Sequence, residues 1–574
     1  GRREMYHGQT FLGFEEINPV KVSIQQFYGI EINDFAVTVA TTALWISEAQ
    51  MLTETEKIIR RDIDFLPLKP YHNIREGNAL RVKWDVIEIP SDIPTIHAKN
   101  VHILYEEEAK WMASEPVVEF DEVNLVAGDY QRGFKSNTKR YEIHYDYIIG
   151  NPPFVGYSLQ TEEQKNDILR LFLDKNGKPF KSVGKIDYVA GWYYKAAQLI
   201  QNTRTRVALV STNSITQGEQ VAAIWKPLKD LFGIHIDFAY RTFRWDSEAS
   251  LKAHVHCIIV GFSNVNVPKI IYDNGKRINA NNINAYLIDA PDIYVESRKN
   301  PLIDVPQMVT GNRPADGGCL IIEPEDYADF VRQEPLAKNY IKKLLGSAEF
   351  INNKKRWCLW LVGVSPAELR KMPLVMKRVQ ACKENRENAP DEGRRRLAAT
   401  PHLFREQLNP EKYIIVPSVS SEKRRYVPMG FLAADTIATN LVLIIPNATL
   451  YHFGILESNV HMAWMRAVCG RLKSDYRYSK DVVYNNFPWP TPTDEQRAKI
   501  EQTAQQILDA RALYPDSSRA DLYDEVAMPV ELRRAHQQND RAVMEAYGFP
   551  VKSSFTESQC VAELFKLYQE LTKE

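Results

Sequence analysis

The apolar positions of this chain follow two spacings in turn. Residues 27–32, Phe-Tyr-Gly-Ile-Glu-Ile, read as a strand. From residue 33 to about residue 51, apolar side chains recur at helical intervals behind two good caps, Asn33 and Asp34. Residues 74–80, Ile-Arg-Glu-Gly-Asn-Ala-Leu, read as a second strand running into a loop. Residues 90–140 lose the pattern, carry Glu106, Glu107 and Glu108, and read as an insertion. Residues 146–150, Asp-Tyr-Ile-Ile-Gly, read as a short buried strand. It cannot continue, because Pro152 and Pro153 lack the N–H that a ladder needs. Helices are expected over 161–175 and 185–200, and strands over 206–210, 234–240 and 254–262. Such alternation predicts a parallel or mixed α/β sheet, whose ligands sit beyond the carboxyl ends of its strands. The loop at Asn151 lies at such an end.

Beyond residue 265 the texture changes. Residues 266–310 are rich in Asn, Asp and Pro and read as a linker. Residues 311–490 mix short strands, loops and basic clusters, and residues 491–574 are mostly helical. A chain of 574 residues is expected to hold several domains, here 1–265, 311–490 and 491–574 around that linker. The balance of 44% hydrophobic and 25% charged residues is that of a soluble globular protein. No apolar run is expected to span a bilayer, and no secretory signal opens the chain. Six scattered cysteines without a Cys-x-x-Cys pair argue against a zinc site or a disulfide framework and fit a reducing cytoplasm. A net charge of −1 requires any nucleic-acid surface to be local. The opening Gly-Arg-Arg-Glu-Met reads as the start of a fragment.

The tetrapeptide Asn151-Pro-Pro-Phe is suited to one kind of substrate. An exocyclic amine on a conjugated ring is a poor nucleophile, because its lone pair is delocalised. The Asn151 side-chain oxygen and the Pro152 carbonyl can accept its two N–H groups and favour a tetrahedral nitrogen. Phe154 can stack on the ring, while the prolines keep the acceptors rigid. A proline-terminated surface turn is the bland alternative. With the strand before it, the tetrapeptide resembles the catalytic motif of DNA amino-methyltransferases that use S-adenosylmethionine. It is similar to the adenine-N6 form; cytosine-N4 enzymes more often carry Ser at the first place.

That resemblance implies an α/β fold with a class I, Rossmann-like methyltransferase core, in which Asn151, Pro152, Pro153 and Phe154 are catalytic. It also implies that Glu31 binds the cofactor ribose, as an acidic residue does in dinucleotide folds, with Ile32 on the adenine. Gly77-Asn-Ala-Leu resembles the next cofactor motif, placing Asn78 and Ala79 at the cofactor, although Asp is common where Asn78 stands. Phe243-Arg-Trp-Asp resembles the late motif that stacks on the flipped base, through Phe243 or Trp245. These aromatics could equally be core. His254 and His256, two apart on a strand, have no third ligand at metal spacing and read as structural, and Asp187 and Asn213 read as scaffold. The family's glycine-rich cofactor loop is not found before Glu31 and is expected upstream of Gly1.

Chemistry on a base within a duplex requires flipping it out, hence a grip on double-stranded DNA. Ser421, Glu422, Arg424 and Arg425 form one candidate reading segment, and Lys473, Asp475, Tyr476 and Arg477 another. A solvated basic surface would look the same. Residues 420–422, the run Tyr476-Arg-Tyr-Ser with Tyr484-Asn-Asn-Phe-Pro-Trp-Pro, and the tail from Met528 resemble MmeI-like type II restriction-modification enzymes. The resemblance covers nearly the whole chain. It implies a methyltransferase followed by a mixed α+β target-recognition domain and a helical C-terminal region, in a prokaryotic cytoplasm. Any nuclease, with its Mg²⁺, would lie upstream. Two other readings remain: a non-catalytic DNA-specificity module, and an amino-methyltransferase acting on RNA or on a protein amide.

Overall fold

The computed structural model describes residues 22–60, 73–90, 101–104, 138–246, 254–472 and 474–573. The chain divides into two compact units, 1–148 with 194–205, and 149–193 with 206–574.

In the first unit, β1 (Gly29–Glu31) is followed by helix α1 (Asp34–Ile59). Asn33 caps the helix, its side chain accepting from Ala36 N at 2.8 Å. β2 (Ile74–Glu76) pairs in parallel with β1, so that Glu31 and Glu76 end side by side. The expected insertion is not wholly irregular: β3 (Val86–Pro90), β4 (Val101–Leu104) and β5 (Thr138–Ile143) form an antiparallel sheet with β5 central. The rest of that stretch lies outside the described residues. Against the expectation of no spanning run, the 26-residue α1 is long and apolar enough, by length and composition only, to cross a membrane. None of its side chains is buried, so it also lacks the buried apolar face of an amphipathic core helix. Glu48, in mid-helix, accepts from Ile24 N at 3.0 Å.

In the second unit, a six-stranded mixed sheet has the order β11-β10-β8-β9-β7-β6. Its strands are β6 (Tyr147–Gly150), β7 (Arg206–Thr212), β8 (His235–Asp246), β9 (His254–Ser263), β10 (Lys269–Asp273) and β11 (Lys276–Ala280). β9 runs antiparallel to both β7 and β8, while β10 is parallel to β8. β6 is not the buried strand expected: at the end of this sheet, Tyr147 is 71% and Ile149 82% exposed. The stretch 266–310 contributes β10 and β11 to the sheet rather than serving only as a linker. Helices α2 (Glu162–Leu171), α3 (Ala190–Leu199) and α4 (Glu219–Phe232) lie between the strands in sequence. Residues 185–189, expected at the start of α3, are instead the end of a 3-10 helix at Lys185 followed by a turn.

The second half holds two four-stranded sheets. β12 (Val309–Thr310), β16 (Lys412–Pro417), β18 (Gly430–Ala433) and β20 (Val442–Pro446) make one, with order β12-β20-β16-β18. β16 is buried along five of its six residues, as befits an apolar strand with a neighbour on each side. β13 (Ile321–Ile322), β14 (Ile341–Leu345), β15 (Trp357–Leu359) and β19 (Thr436–Ala438) make the other, over a core that includes Leu344, Leu359 and Val375. A three-stranded sheet pairs β17 (Val419–Ser420) and β21 (Gly470–Leu472) to a central β22 (Asp475–Arg477).

Five helices matter below: α5 (Leu450–Leu456), α6 (Asn459–Val468), α7 (Asp494–Ala512), α8 (Val530–Ala546) and α9 (Glu557–Thr572). Just before α4, Gly218 has φ +60° and ψ −147°, and its N–H donates to Val468 O at 3.2 Å. A Cβ there would lie 3.2 Å from the Cα of Gly470. Only glycine combines that backbone conformation with so close an approach.

Candidate functional site

Asn151 follows Gly150 directly, at the carboxyl end of β6. A Cβ on Gly150 would stand 3.1 Å from Leu209 Cδ2, so the strand's last residue is packed against β7. Pro152 is buried and anchors the loop; Asn151 and Pro153 are exposed, and Phe154 is 38% exposed. Neither the Asn151 carboxamide nor the Pro152 carbonyl has a hydrogen-bond partner among the described residues. The Phe154 ring has no aromatic partner among them either.

The loop is held from behind. Val155 O accepts from Tyr188 N at 2.9 Å, and Asp187 Oδ1 accepts from Tyr157 N at 3.0 Å. Asp187 is 7% exposed; its other oxygen accepts from the Ser214 hydroxyl, and its N–H donates to Gln220 Oε1 at 2.9 Å. Gln160 Nε2 donates to Ile186 O at 2.9 Å. Two acceptors are thus presented on a backbone with little freedom to move, and Asp187, expected only as scaffold, is the centre of the latch.

Phe243 and Trp245 stand inside β8, beyond a register shift between Tyr240 and Phe243, and not in a loop. Phe243 opposes Cys257, and Cys257 opposes Thr212 at the end of β7. Phe243 is half-buried; the side chains of Trp245 and His254 lie outside the described residues. Asn213 Nδ2 donates to Thr242 Oγ1 at 3.4 Å, tying this ribbon to the turn after β7.

In the first unit, Glu31 ends β1, and its carboxylate has no hydrogen-bond partner among the described residues. Ile32 is 65% exposed. Gly77 N donates to Glu31 O at 2.7 Å, which brings the 77–82 turn beside the strand end. Asn78 Oδ1 accepts from Leu80 N at 2.9 Å, so one lone pair of the expected cofactor acceptor already closes the turn. Lys195 was missed in the sequence. Its ammonium donates to Ala79 O at 2.9 Å and Leu80 O at 3.2 Å, and also bonds Val82 O. Burial pulls it down to about 8, helped by Arg75 and opposed by Asp85. A single cation amid the apolar residues of a helix was the available signal.

The two candidate DNA segments, some fifty residues apart, meet on one sheet: Ser420 pairs with Tyr476, and Val419 with Arg477. Residues 421–424 form a turn, with Arg424 N donating to Ser421 O at 3.1 Å and Lys423 N to Ser421 Oγ at 3.3 Å. Glu422, Arg425 and Arg477 are exposed, and Ser421 and Asp475 half-buried. Arg424 is half-buried, with its Nε unpaired. Tyr476 does not suit direct DNA contact: its ring is 6% exposed and lies under the Arg471 guanidinium at 4.1 Å. Arg471 also pairs with Glu422 at 3.6 Å, making it a cation that the expected set omits. Lys473 lies outside the described residues.

Behind this sheet is a buried polar network. Asp540 on α8 accepts from the Tyr426 hydroxyl and from Asn459 N, each at 2.7 Å. Burial raises its pKa to about 6, with Tyr426, Asn459 N, Arg425 and Arg466 pulling the other way. The folded value exceeds the unfolded one, so the associated stability is present at low pH and is lost as pH rises through about 6. Asp540→Asn should therefore gain about 1 kcal/mol on the native protein between pH 5 and pH 8, measured by urea unfolding at both.

Residues 3–273 match the family described as "MmeI, DNA-methyltransferase domain", residues 289–491 "MmeI, target recognition domain", and residues 492–574 "MmeI, C-terminal domain". The chain is 38% identical over 570 residues to DNA methyltransferase A of Bacillus subtilis (strain 168), covering 98% of this chain and 58% of the relative. It is also similar to a solved structure of the Type IIL restriction-modification enzyme MmeI in complex with DNA. There the identity is 39% and the TM-score 0.76, over 96% of this chain and 67% of that one.

Proposed function

Because the chain belongs to the MmeI family, with its methyltransferase, target recognition and C-terminal domains in that order, we propose that it is the modification part of a restriction-modification enzyme. It transfers methyl from S-adenosylmethionine to the N6 amine of an adenine flipped from sequence-specific duplex DNA. The observation that carries this reading is the pair of acceptors, Asn151 Oδ1 and Pro152 O, that have no partner among the described residues, on a loop latched by Asp187.

The cofactor, when bound, supplies an electrophilic methyl group. The chain's residues fit it in a Rossmann-like core: Glu31 offers a carboxylate without a partner among the described residues for the ribose hydroxyls, Ile32 an exposed apolar side chain for the adenine, and the 77–80 turn a preformed wall. Asn151 Oδ1 and Pro152 O accept hydrogen bonds from the two N–H groups of the target amine and favour a tetrahedral nitrogen. Phe154 stacks on one face of the base, and Phe243 or Trp245 serves as the second aromatic surface. Exposed Glu422, Arg425 and Arg477, with Ser421, Arg424, Lys473 and Asp475, read bases or hold phosphates.

The test is to incubate the intact protein with S-adenosylmethionine and mixed-sequence duplex DNA and analyse the nucleosides by mass spectrometry. N6-methyladenine at a defined sequence is expected. Methyl groups on cytosine alone would overturn the base assignment. No modified base, with tight selective binding, would make the protein a specificity module. A second prediction concerns Lys195: Lys195→Met removes the clamp on three carbonyls. It should raise the KM for the cofactor roughly tenfold with kcat changed less, read by initial-rate kinetics.

A further inference from the structure

The recognition turn has few bonds of its own, but the chain just after it is fixed from elsewhere. Among the described residues, the turn 421–424 is closed by two local bonds to Ser421 and joined to the sheet by the Glu422–Arg471 pair at 3.6 Å. From Tyr426 to Gly430 every residue is buried. Arg425 O accepts from Arg466 at 2.9 Å, and that guanidinium is gripped by both oxygens of Glu557, at 2.7 and 2.9 Å. The Tyr426 hydroxyl is held by Asp540, and its ring stacks on His536, centroids 4.1 Å apart. Met429 N donates to Glu457 at 2.6 Å, and Met429 O accepts from Arg511 at 2.6 Å. His536 and Asp540 lie on α8, Glu557 on α9 and Arg511 on α7. Turn and helices together wall an open cavity of about 420 Å³, leaving the turn's side chains accessible.

We propose that the C-terminal helices are the frame that sets where the recognition turn meets DNA, with Tyr426, Arg466 and Glu557 as positioning residues for Glu422, Arg424 and Arg425. This rests on the reading of residues 421–425 as a base-reading segment. The physical basis is leverage: base-edge hydrogen bonds tolerate displacements well under 1 Å, and the turn inherits any shift of the chain that follows it. Glu557 is half exposed while Arg466 is 19% exposed, so the Gln variant keeps an oxygen acceptor for the guanidinium and removes only the charge.

The test compares Glu557→Gln and Tyr426→Phe in the intact protein; the second keeps the ring on His536 and loses only the hydroxyl. Each is assayed for kcat/KM on duplexes carrying the target and on the set of single-base-substituted targets, alongside thermal melting. The expected result is roughly a three- to tenfold loss of discrimination, concentrated at one or two base pairs, with both variants folded. Unchanged discrimination in folded variants would overturn the frame while leaving the reading of the turn intact. So would a uniform loss at every position that tracks the melting temperature. A native protein with no preference among the duplexes would instead overturn the reading itself, and the frame with it.

Discussion

Asn151→Ala should lower methyl transfer by roughly a thousandfold or more while leaving duplex affinity within a few-fold of native. The expectation follows from where the side chain stands. Asn151 is exposed and makes no bond that the fold needs among the described residues, so its loss should not unsettle the loop. Pro152 stays buried, and Asp187 still holds Tyr157 N. On the proposed reading, what disappears is a hydrogen-bond acceptor for one N–H of the reacting amine, an interaction that strengthens as the nitrogen becomes tetrahedral. Such groups act on kcat rather than on ground-state affinity. Single-turnover methylation and a binding titration on the same duplex check this. A variant that loses binding and catalysis equally would place Asn151 in docking rather than in chemistry.

Arg511→Met should cost about 3–5 kcal/mol of stability at neutral pH, enough to lower expression as well as the melting temperature. Glu457 is fully buried, and Arg511 pairs with it at 2.8 Å while also bonding Met429 O and the Tyr523 hydroxyl. Without the guanidinium, Glu457 keeps one donor, Met429 N. Burial already raises the Glu457 pKa, chiefly against the pull of Arg511. The folded value therefore rises further in the variant. The loss should be greatest at neutral and alkaline pH and shrink in acid, where the carboxyl takes up a proton. Replacing both residues by Leu and Met should recover most of the loss. Urea unfolding of the two variants at pH 5 and pH 8 tests both statements; a double variant as unstable as the single one would deny that the unpaired charge is the cause.

Local signals in the sequence located much of this. Prolines after an apolar run mark the end of β6, Asn33 marks the start of α1, and Glu31 does end a strand. Pairing over long distances was not legible. Nothing near Ser420 says that Tyr476 lies opposite, or that Arg471 will cover that ring and make it a support. Polar composition made 266–310 look like a linker, but Lys269–Asp273 and Lys276–Ala280 complete a sheet whose partner strand lies thirty residues earlier. The strand expected over 234–240 stops short of Phe243, whereas pairing to Cys257 extends it through that residue. Lys195 escaped notice because its partners are backbone carbonyls, which no side-chain pattern reveals.

The contact of Gly218 with Gly470 makes the second unit a caliper. Gly470 opens the strand β21 of the recognition sheet. Gly218 stands two residues before Gln220, which holds Asp187, which in turn holds the loop of Asn151. The contact itself is main chain to main chain, and the path on to the Asn151 loop runs through two short side chains, Gln220 and Asp187. Moving the modified base by one step along a strand takes about 3.4 Å, a displacement that no exchange of reading residues provides. On the proposed reading of residues 421–425, exchanging the bases that the turn reads should therefore yield new target sequences in which the methylated base keeps its place.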